Sequence, residues 1–242
     1  MRYGIFADIH SNLEALEAVL GAYKQASIDK YLCVGDIVGY AANPKECIEI
    51  VKSSANVSVA GNHDWASAGL ISLDYFNPLA AKAVIWTQDK LEEKERYFLK
   101  SLKLTFSNDD LILVHGTLDE PDNFRYLTKA QSAATTFNLL NIPVCFVGHT
   151  HAPAIFIQDK DRRIYGLSSG KIKLEKDKKY IVNVGSVGQP RDGSPLASYC
   201  IYDTNSKTVW IKRIDYNFKS AQEKIIAAGL PGFLAERLAL GR

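Results

Sequence analysis

The stretch CFVGHTHAP, residues 145–153, places two histidines directly after a short apolar run. A run of this kind that ends in glycine is typical of a buried strand. In extended backbone, residues two apart project to the same side, so we expect His149 and His151 to reach one point beyond the strand end. A pair of surface histidines is the alternative, because histidine is common on surfaces as well as being the commonest metal ligand.

Similar apolar runs recur along the chain, each closed by Gly, Asp or His, and their Val, Ile and aromatic content predicts buried strands. They lie at 3–7, 31–35, 57–61, 111–116, 144–148 and 180–185. Helical patterns lie between them. Ser11 followed by Glu14 forms a capping-box pattern, and Pro44 suits the first turn of a second helix. Residues 65–103 and 128–140 are also predicted to be helical.

After about residue 153, β-forming segments separated by turn residues predict antiparallel hairpins. The charged run 171–179 is expected to be a solvated hairpin or turn, and the tail from Ser220 a helix pair broken at 229–231. These patterns predict an α/β fold in one domain, residues 1–242. It carries a helical insert at about 65–105 and a C-terminal helical tail at about 219–242.

The composition excludes several classes of protein. Net charge is only +2 with no dominant basic stripe, so stable binding to nucleic acid is not expected. The four cysteines are far apart and form no Cys-x-x-Cys pair, which predicts free thiols and a cytoplasmic location. The N-terminus turns acidic too early for a signal peptide, and no apolar run approaches about 18 residues, so no membrane association is expected.

The predicted strand ends carry the polar residues of interest. All five histidines fall in these turns, beside Asp, Asn and Gly, and random placement of all five there is very improbable. In α/β folds, ligands bind beyond the carboxyl ends of the strands. The candidate ligands are Asp8, His10, Asp36, Asn62, His63, Asp64, His115, His149 and His151.

Carboxylate and imidazole groups suit Mn, Fe, Zn, Co or Ni. The set contains no cysteine, which disfavours a structural zinc site. It also exceeds what one ion needs. It therefore predicts two divalent metal ions, roughly 3.5–4 Å apart, that share a bridging carboxylate.

The motifs occur in a fixed order: Asp8-x-His10, Gly35-Asp36, Gly61-Asn62-His63-Asp64, His115-Gly116 and Gly148-His149-Thr150-His151. This set resembles that of the calcineurin-like metallophosphoesterase superfamily, over residues 1 to about 215. The segments GDIVGYAANP and NVGSVGQPRDG resemble the small prokaryotic phosphoesterases grouped with diadenosine tetraphosphate hydrolases and protein phosphatases. The resemblance implies an αββα sandwich: two packed mixed sheets flanked by helices, with a dinuclear metal site at the carboxyl ends of the strands.

The resemblance also implies a role for each motif. Asp8, His10 and His151 would bind one metal ion, Asn62, His115 and His149 the other, and Asp36 would bridge both. A hydroxide bridging the two ions would attack phosphorus directly, with Mn the ion expected to support activity in vitro. His63 would stabilise the transition state or protonate the leaving oxygen. Asp64 is expected to cap the following helix rather than take part in catalysis.

One motif departs from part of the family. Protein phosphatases of this superfamily carry Asp-Arg where this chain has Gly39-Tyr40. Arg191 is a candidate to bind phosphate in place of that Arg, since a guanidinium forks onto phosphate oxygens. The alternative for Arg191 is a turn residue salt-bridged to Asp192 or a neighbour. Asn43 is a second candidate for contact with the substrate.

Aromatic residues near the motifs have two interpretations. Core packing is favoured over a base-stacking wall for Trp65, Tyr75, Phe76 and Trp86. A packed surface loop is likewise favoured over substrate contact for Phe124, Arg125 and Tyr126.

The expected function is therefore a metal-dependent phosphoesterase. Its substrate would be a small phosphorylated compound, either a phosphate ester or a dinucleoside polyphosphate, with nucleotides among the candidates. A phosphoprotein phosphatase is the alternative, weakened by the missing Asp-Arg pair. A non-catalytic binding scaffold is less favoured, because scaffolds on this fold lose metal ligands and this chain keeps the full set.

Overall fold

Two six-stranded sheets form the centre of the molecule in the computed structural model, which describes residues 1–168 and 170–242. One sheet has the strand order β3-β2-β1-β11-β12-β9 and the other has the order β4-β5-β6-β10-β7-β8. The strands are β1 Arg2–Phe6, β2 Lys30–Cys33, β3 Val57–Ser58, β4 Thr105–Ser107, β5 Ile112–Val114, β6 Val144–Val147, β7 Ala154–Gln158, β8 Ile164–Leu167, β9 Lys171–Lys173, β10 Lys179–Asn183, β11 Ala197–Asp203 and β12 Thr208–Ile214.

Both sheets are mixed. β1, β2 and β3 are parallel in one sheet, as β5, β6 and β10 are in the other, and the remaining pairs are antiparallel. The carboxyl ends of parallel neighbours lie at the same edge of a sheet. The turns that follow these parallel strands therefore lie together at one edge of each sheet.

The helices match the predicted segments with shorter bounds. They are α1 Leu13–Gln25, α2 Pro44–Ser54, α3 Asn62–Ser67, α4 Pro78–Lys90, α5 Glu93–Ser101, α6 Ala130–Leu139, α7 Phe218–Ala227 and α8 Gly232–Leu240. The predicted helical stretch 65–103 is thus three helices, with a non-helical connection at 68–77. None of the helices in the described residues is long and apolar enough to cross a membrane.

The central strands of each sheet are buried on both faces. In β6, Val144 and Phe146 pack with the first sheet between the two sheets, whereas Cys145 and Val147 pack with α6 residues on the opposite face. The outer face of the first sheet is covered by α1, α2, α7 and α8. The layers therefore run helix, sheet, sheet, helix, which confirms the predicted α/β sandwich. The four cysteines are buried and free, as predicted.

The start of α1 differs from the prediction. Asn12 is the N-cap, and its side-chain oxygen accepts from the Ala15 amide at 3.2 Å. Ser11 has a left-handed φ of 59°, and its hydroxyl accepts from the Gly39 amide at 3.1 Å. The capping box from Ser11 to Glu14 is therefore wrong, because the Ser11 side chain bonds to the turn after β2 instead of the helix.

The charged run 171–179 also differs in part. It is not a turn throughout, since it begins with β9, which pairs with β12 at the edge of the first sheet. Its polar residues suit an edge strand, where one side of the backbone is left unpaired.

Candidate metal centre

The strand-end turns of the two sheets meet in one buried site. Asp8, His10, Asp36, His149 and His151 all have positive φ, between 50° and 69°. Non-glycine residues rarely adopt this conformation, and such strain clusters at functional sites. The extended geometry expected at residues 149 and 151 is therefore wrong, and the two imidazoles do not converge on one point.

The candidate ligands divide into two clusters that share one carboxylate. The first cluster comprises Asp8, His10, Asp36 and His151, and the second comprises Asp36, His115 and His149. Within each cluster the ligand atoms lie within 4.8 Å of one another, and every member is buried. His149 and His151 fall in different clusters. The shared Asp36 lies where a carboxylate would bridge two ions.

Hydrogen bonds determine which ring nitrogen is available to a metal ion in three of the histidines. The Nδ1 atoms of His10, His115 and His151 lie 3.1, 2.7 and 2.6 Å from the backbone oxygens of Val38, Val34 and Gln189. A carbonyl oxygen only accepts, so each Nδ1 must carry the proton. In each neutral ring Nε2 is then the atom with a lone pair, the arrangement typical of metal-binding histidines.

Several ligand atoms lack any protein partner in the part of the chain that the structure describes. They are Asp36 Oδ2, Asn62 Oδ1 and His115 Nε2, all buried. His115 Nε2 faces Asp36 Oδ2 at 3.2 Å. An unpaired buried polar atom is costly, and oxygen and imidazole nitrogen donors suit a divalent cation. These residues therefore fit the metal ions that the sequence predicts.

The buried charges perturb one another strongly. Burial raises the pKa of Asp8 to about 8. Burial also opposes ionisation of Asp36, but the charges of His115 and His63 outweigh it and hold the pKa of that carboxyl well below its usual value. For His115, burial lowers the pKa, yet Asp36 and Asp8 raise it to about 9.

Close backbone approach holds the two carboxylates in place. Asp36 Oδ1 accepts from the His63 amide at 2.8 Å, and Asp8 Oδ2 accepts from the His149 amide at 3.0 Å. A Cβ on Gly61 would lie 2.1 Å from Asp36 Oδ1, so only glycine fits there. Asp36 Oδ2 is therefore left free to face the second cluster.

A family model described as a calcineurin-like phosphoesterase superfamily domain matches residues 1–207. The chain belongs to this superfamily. The match spans all the ligands of both clusters, so the ordered motifs and the geometry agree with the family. The metallophosphoesterase fold predicted from the sequence is confirmed.

Relatives cover nearly the whole chain. The chain is 44% identical to the uncharacterized protein MJ0912 of Methanocaldococcus jannaschii, over 98% of this chain and 97% of that protein. It is 40% identical to a metallophosphoesterase from Sphaerobacter thermophilus, with a TM-score of 0.89 and coverage of 100% and 99%. The hypothetical protein PH1004 from Pyrococcus horikoshii OT3, at 18% identity and a TM-score of 0.81, covers 100% and 98% and shares the fold.

His63 of this metallophosphoesterase lies beside the first cluster but is not part of either. Its ring packs edge-on against His10 and Phe76, with centroids 4.7 and 5.0 Å away. Its Nδ1 is buried without a partner among the described residues. A Cβ on Gly39 would lie 2.5 Å from this Nδ1. Gly39 thus offers no side chain that could hydrogen-bond to this nitrogen. Burial lowers the pKa of His63 to about 4.

Asp64 caps the turn and helix, as predicted. Its Oδ2 accepts from the Gly61 amide at 3.0 Å, and its Oδ1 accepts from the Ile37 and Val38 amides at 2.8 and 3.2 Å. These hydrogen bonds therefore connect the turn after β2 to the start of α3.

The salt bridge that was the alternative for Arg191 is not found among the described residues, where Asp192 pairs with Arg213 of β12. The Arg191 guanidinium donates to Gln189 Oε1 at 2.8 Å and lies 5.5 Å from the ring centroid of Tyr40. Asn43 has a local contact, since its amide donates to Glu46 Oε1 at 2.9 Å within the first turn of α2.

A cavity of about 720 Å³ opens beside the candidate ligands Asn62 and His149 and beside His63. Its walls include the aromatic residues Tyr40, Tyr75, Phe76, Phe124 and Tyr126. Core packing is correct for Trp65 and Trp86, which lie partly buried against the core. Phe76 packs against that core and also lines the cavity, whereas Tyr75 lines the cavity while 96% exposed, so the core prediction is wrong for Tyr75.

Tyr126 and Tyr40 contact the candidate ligands directly. Tyr126 stacks on His149 with centroids 4.0 Å apart and planes 13° apart. Tyr40 lies 4.6 Å from His10 and 4.5 Å from His63. The sequence motifs do not identify Tyr40 as a site residue. Its position directly after Gly39, in a strand-end turn, is the one signal that could have found it.

Proposed function

We propose that this metallophosphoesterase hydrolyses small phosphate esters with the help of two divalent metal ions. One observation carries the proposal: two adjacent clusters of buried ligand atoms share Asp36, and Asn62 Oδ1 beside them has no hydrogen-bond partner in the described chain. A single ion would leave part of this set unused.

Each cluster would hold one ion. Asp8, His10 and His151 would hold the first, Asn62, His115 and His149 the second, and Asp36 would contact both. When bound, two such ions would activate a water molecule near neutral pH and neutralise phosphoryl oxygens.

His63 would act from beside the ligands. With a pKa of about 4, its imidazole is neutral at pH 7, so it suits hydrogen-bond donation to the leaving oxygen better than transfer of a proton from imidazolium. Its place on the cavity wall supports contact with substrate. Stabilisation by one preorganised hydrogen-bond donor is worth about 10²–10³-fold in rate.

The aromatic cavity supports a substrate whose leaving group is flat and apolar, such as an aryl or nucleoside group. Pockets of roughly 300–1,000 Å³ suit small organic ligands, and aromatic walls favour stacking. Arg125 lines this cavity but pairs with Asp119 and Glu120. A polyphosphate chain would therefore gain little from it, so a single phosphate ester is favoured over a dinucleoside polyphosphate.

The alternatives have less support. A phosphoprotein phosphatase would lack the Asp and Arg that this chain replaces with Gly39 and Tyr40. A scaffold would not need a full ligand set at a strained, buried site.

The test is hydrolysis of p-nitrophenyl phosphate and bis(p-nitrophenyl) phosphate by metal-free protein supplied with Mn²⁺, Fe²⁺, Zn²⁺, Co²⁺ or Ni²⁺ in turn. We expect turnover of at least one ester with Mn²⁺. Absence of turnover with every ion, in protein that binds two ions per chain, would contradict the proposed function. Asp36→Asn, which removes the shared carboxylate charge, is the matched inactive control.

A further inference from the structure

Two arginines from distant parts of the chain flank one aromatic ring at the metal centre. The guanidinium carbon of Arg191 lies 5.5 Å from the ring centroid of Tyr40, and that of Arg237 lies 6.0 Å from it. Arg191 follows β10 by a loop, and Arg237 belongs to α8. After burial, the charge of Arg191 is the largest cause that lowers the pKa of Arg237, so the two charges repel each other, and a bound anion would offset that repulsion.

Within the described residues 1–168 and 170–242, neither Arg191 nor Arg237 forms an ion pair with an Asp or Glu side chain, whereas Arg125 and Arg213 both do. Arg191 Nε is buried without a partner, and its Nη2 donates to the neutral Gln189 side chain. Arg237 donates from Nε to an oxygen of the terminal residue Arg242, so its two Nη groups are the donors that remain. Both side chains keep donors free, and both are only half-buried.

The pKa of Arg237 is consistent with an anion site beside the two arginines. Burial, and then the charge of Arg191, lower the pKa of Arg237 to about 10. Arg237 stays protonated at pH 7. The lowered value nevertheless records that its charge is poorly compensated in the protein alone.

The pair lies against the proposed reaction centre. The Arg191 amide donates to the His151 oxygen at 3.1 Å, and the ring of Tyr40 touches His10 and His63. The loop that carries Arg191 is also bound to the end of α8, since the Gly193 amide donates to the Gly241 oxygen at 2.9 Å. The fold therefore fixes the two arginines relative to each other.

We infer that Arg191 and Arg237 together bind the non-bridging oxygens of a phosphate group at the metal centre, with Arg237 a specificity residue that favours dianionic monoesters over monoanionic diesters. This inference rests on the proposed function. The two N–H groups of a guanidinium match the geometry of phosphate oxygens. Two guanidinium charges also attract a dianionic monoester more strongly than a monoanionic diester. Arg237 lies outside the residues 1–207 that the family model matches, so the C-terminal helix would complete the site.

The test compares Arg191→Met, Arg237→Met and the control Lys219→Met, which removes an exposed positive charge from α7. Calorimetric titration of inorganic phosphate into each metal-loaded protein gives the dissociation constant. We expect each arginine variant to weaken phosphate binding about 10-fold or more, because a lost charge-assisted hydrogen bond has about that effect, and the lysine variant to match the parent protein. Thermal unfolding and metal content verify that each variant is folded and loaded.

Kinetics give the second readout. Arg237→Met is expected to raise KM for p-nitrophenyl phosphate more than for bis(p-nitrophenyl) phosphate. Phosphate affinity and monoester preference equal to those of the parent would overturn the inference while leaving the proposed function intact. Conversely, arginine-dependent phosphate binding by a protein that hydrolyses neither ester would overturn the proposed function alone.

Discussion

His10 and His151 face each other across the first cluster with their Nε2 atoms 3.0 Å apart. Each ring donates from Nδ1 to a backbone carbonyl. Burial lowers the pKa of both rings, so both are neutral near pH 7 and both Nε2 atoms carry lone pairs. Two lone pairs at this distance repel, and a cation coordinated by both nitrogens removes the repulsion.

Metal binding is therefore expected to stabilise the fold. Mn²⁺ at about 100 times its dissociation constant would raise the free energy of unfolding by about 2.7 kcal/mol for one site. Urea unfolding with and without Mn²⁺ measures this difference. His10→Ala removes one of the facing nitrogens and should reduce the gain, whereas Lys219→Met should not. An unfolding midpoint unchanged by every divalent ion would contradict the prediction.

Metal loading is also expected to release a proton from His115. Its pKa of about 9 means that the ring is charged at pH 7 in the metal-free protein, and a metal ion binds only the neutral ring. As pH falls below the pKa of His115, the apparent affinity should fall by about tenfold per pH unit for each proton displaced. Titration of Mn²⁺ in buffers of different ionisation enthalpy counts the protons. An affinity independent of pH would contradict this assignment.

His63 and His115 should differ sharply when each is replaced by alanine. His63→Ala keeps the backbone amide that donates to Asp36, so we expect two metal ions per chain and a kcat reduced by about 10²–10³-fold. His115→Ala removes a second-cluster ligand and should lower the metal content. Elemental analysis and steady-state kinetics measure both. Loss of an ion from His63→Ala would show that His63 is itself a ligand.

The sequence predicts the layers of the fold because its strands are apolar on both faces. Val144 and Phe146 pack on one side of their strand and Cys145 and Val147 on the other, which is the pattern of a sheet covered on both faces. The sheet order is not predictable in this way. Residues 171–173 join the first sheet only because β12 offers them an unpaired edge, which is a tertiary contact.

The residues that form the two clusters could be predicted to lie together because each is in a strand-end motif of distinctive residue types. Single residues outside such motifs could not. Arg237 reaches the site only because Gly241 lies against the loop after Arg191. Likewise, the salt bridge to Asp192 is made by Arg213 from a neighbouring strand, a choice of partner that sequence proximity does not reveal.

Glu14 ties α1 to the C-terminal helices that carry Arg237. Its Oε1 accepts from Lys224 Nζ at 2.7 Å and from Ser220 Oγ at 2.8 Å. Burial opposes ionisation, but these bonds lower the pKa of Glu14 below its ordinary 4.5. The contribution to stability is therefore present above about pH 4.5 and is lost as pH falls through the lowered pKa.

Glu14→Gln is expected to cost about 0.5 kcal/mol at pH 7, a small value because solvent screens this partly exposed pair. The difference from the parent protein should vanish at acid pH, where both side chains are neutral. Urea unfolding at the two pH values measures it. Glu17→Gln, on an exposed face of the same helix, is the control and should change neither value. An equal loss at both pH values would contradict an electrostatic origin.

Tyr75 is 96% exposed on the wall of the aromatic cavity, so it adds almost nothing to the core. If it stacks on the leaving group, Tyr75→Ala should raise KM for p-nitrophenyl phosphate about 2–10-fold, the size of one aromatic contact. KM for β-glycerophosphate, which has no ring, should stay unchanged. Tyr97→Ala removes a tyrosine that is 75% exposed on α5 and is the matched control. Equal effects of Tyr75→Ala on the two esters would contradict stacking on an aromatic leaving group.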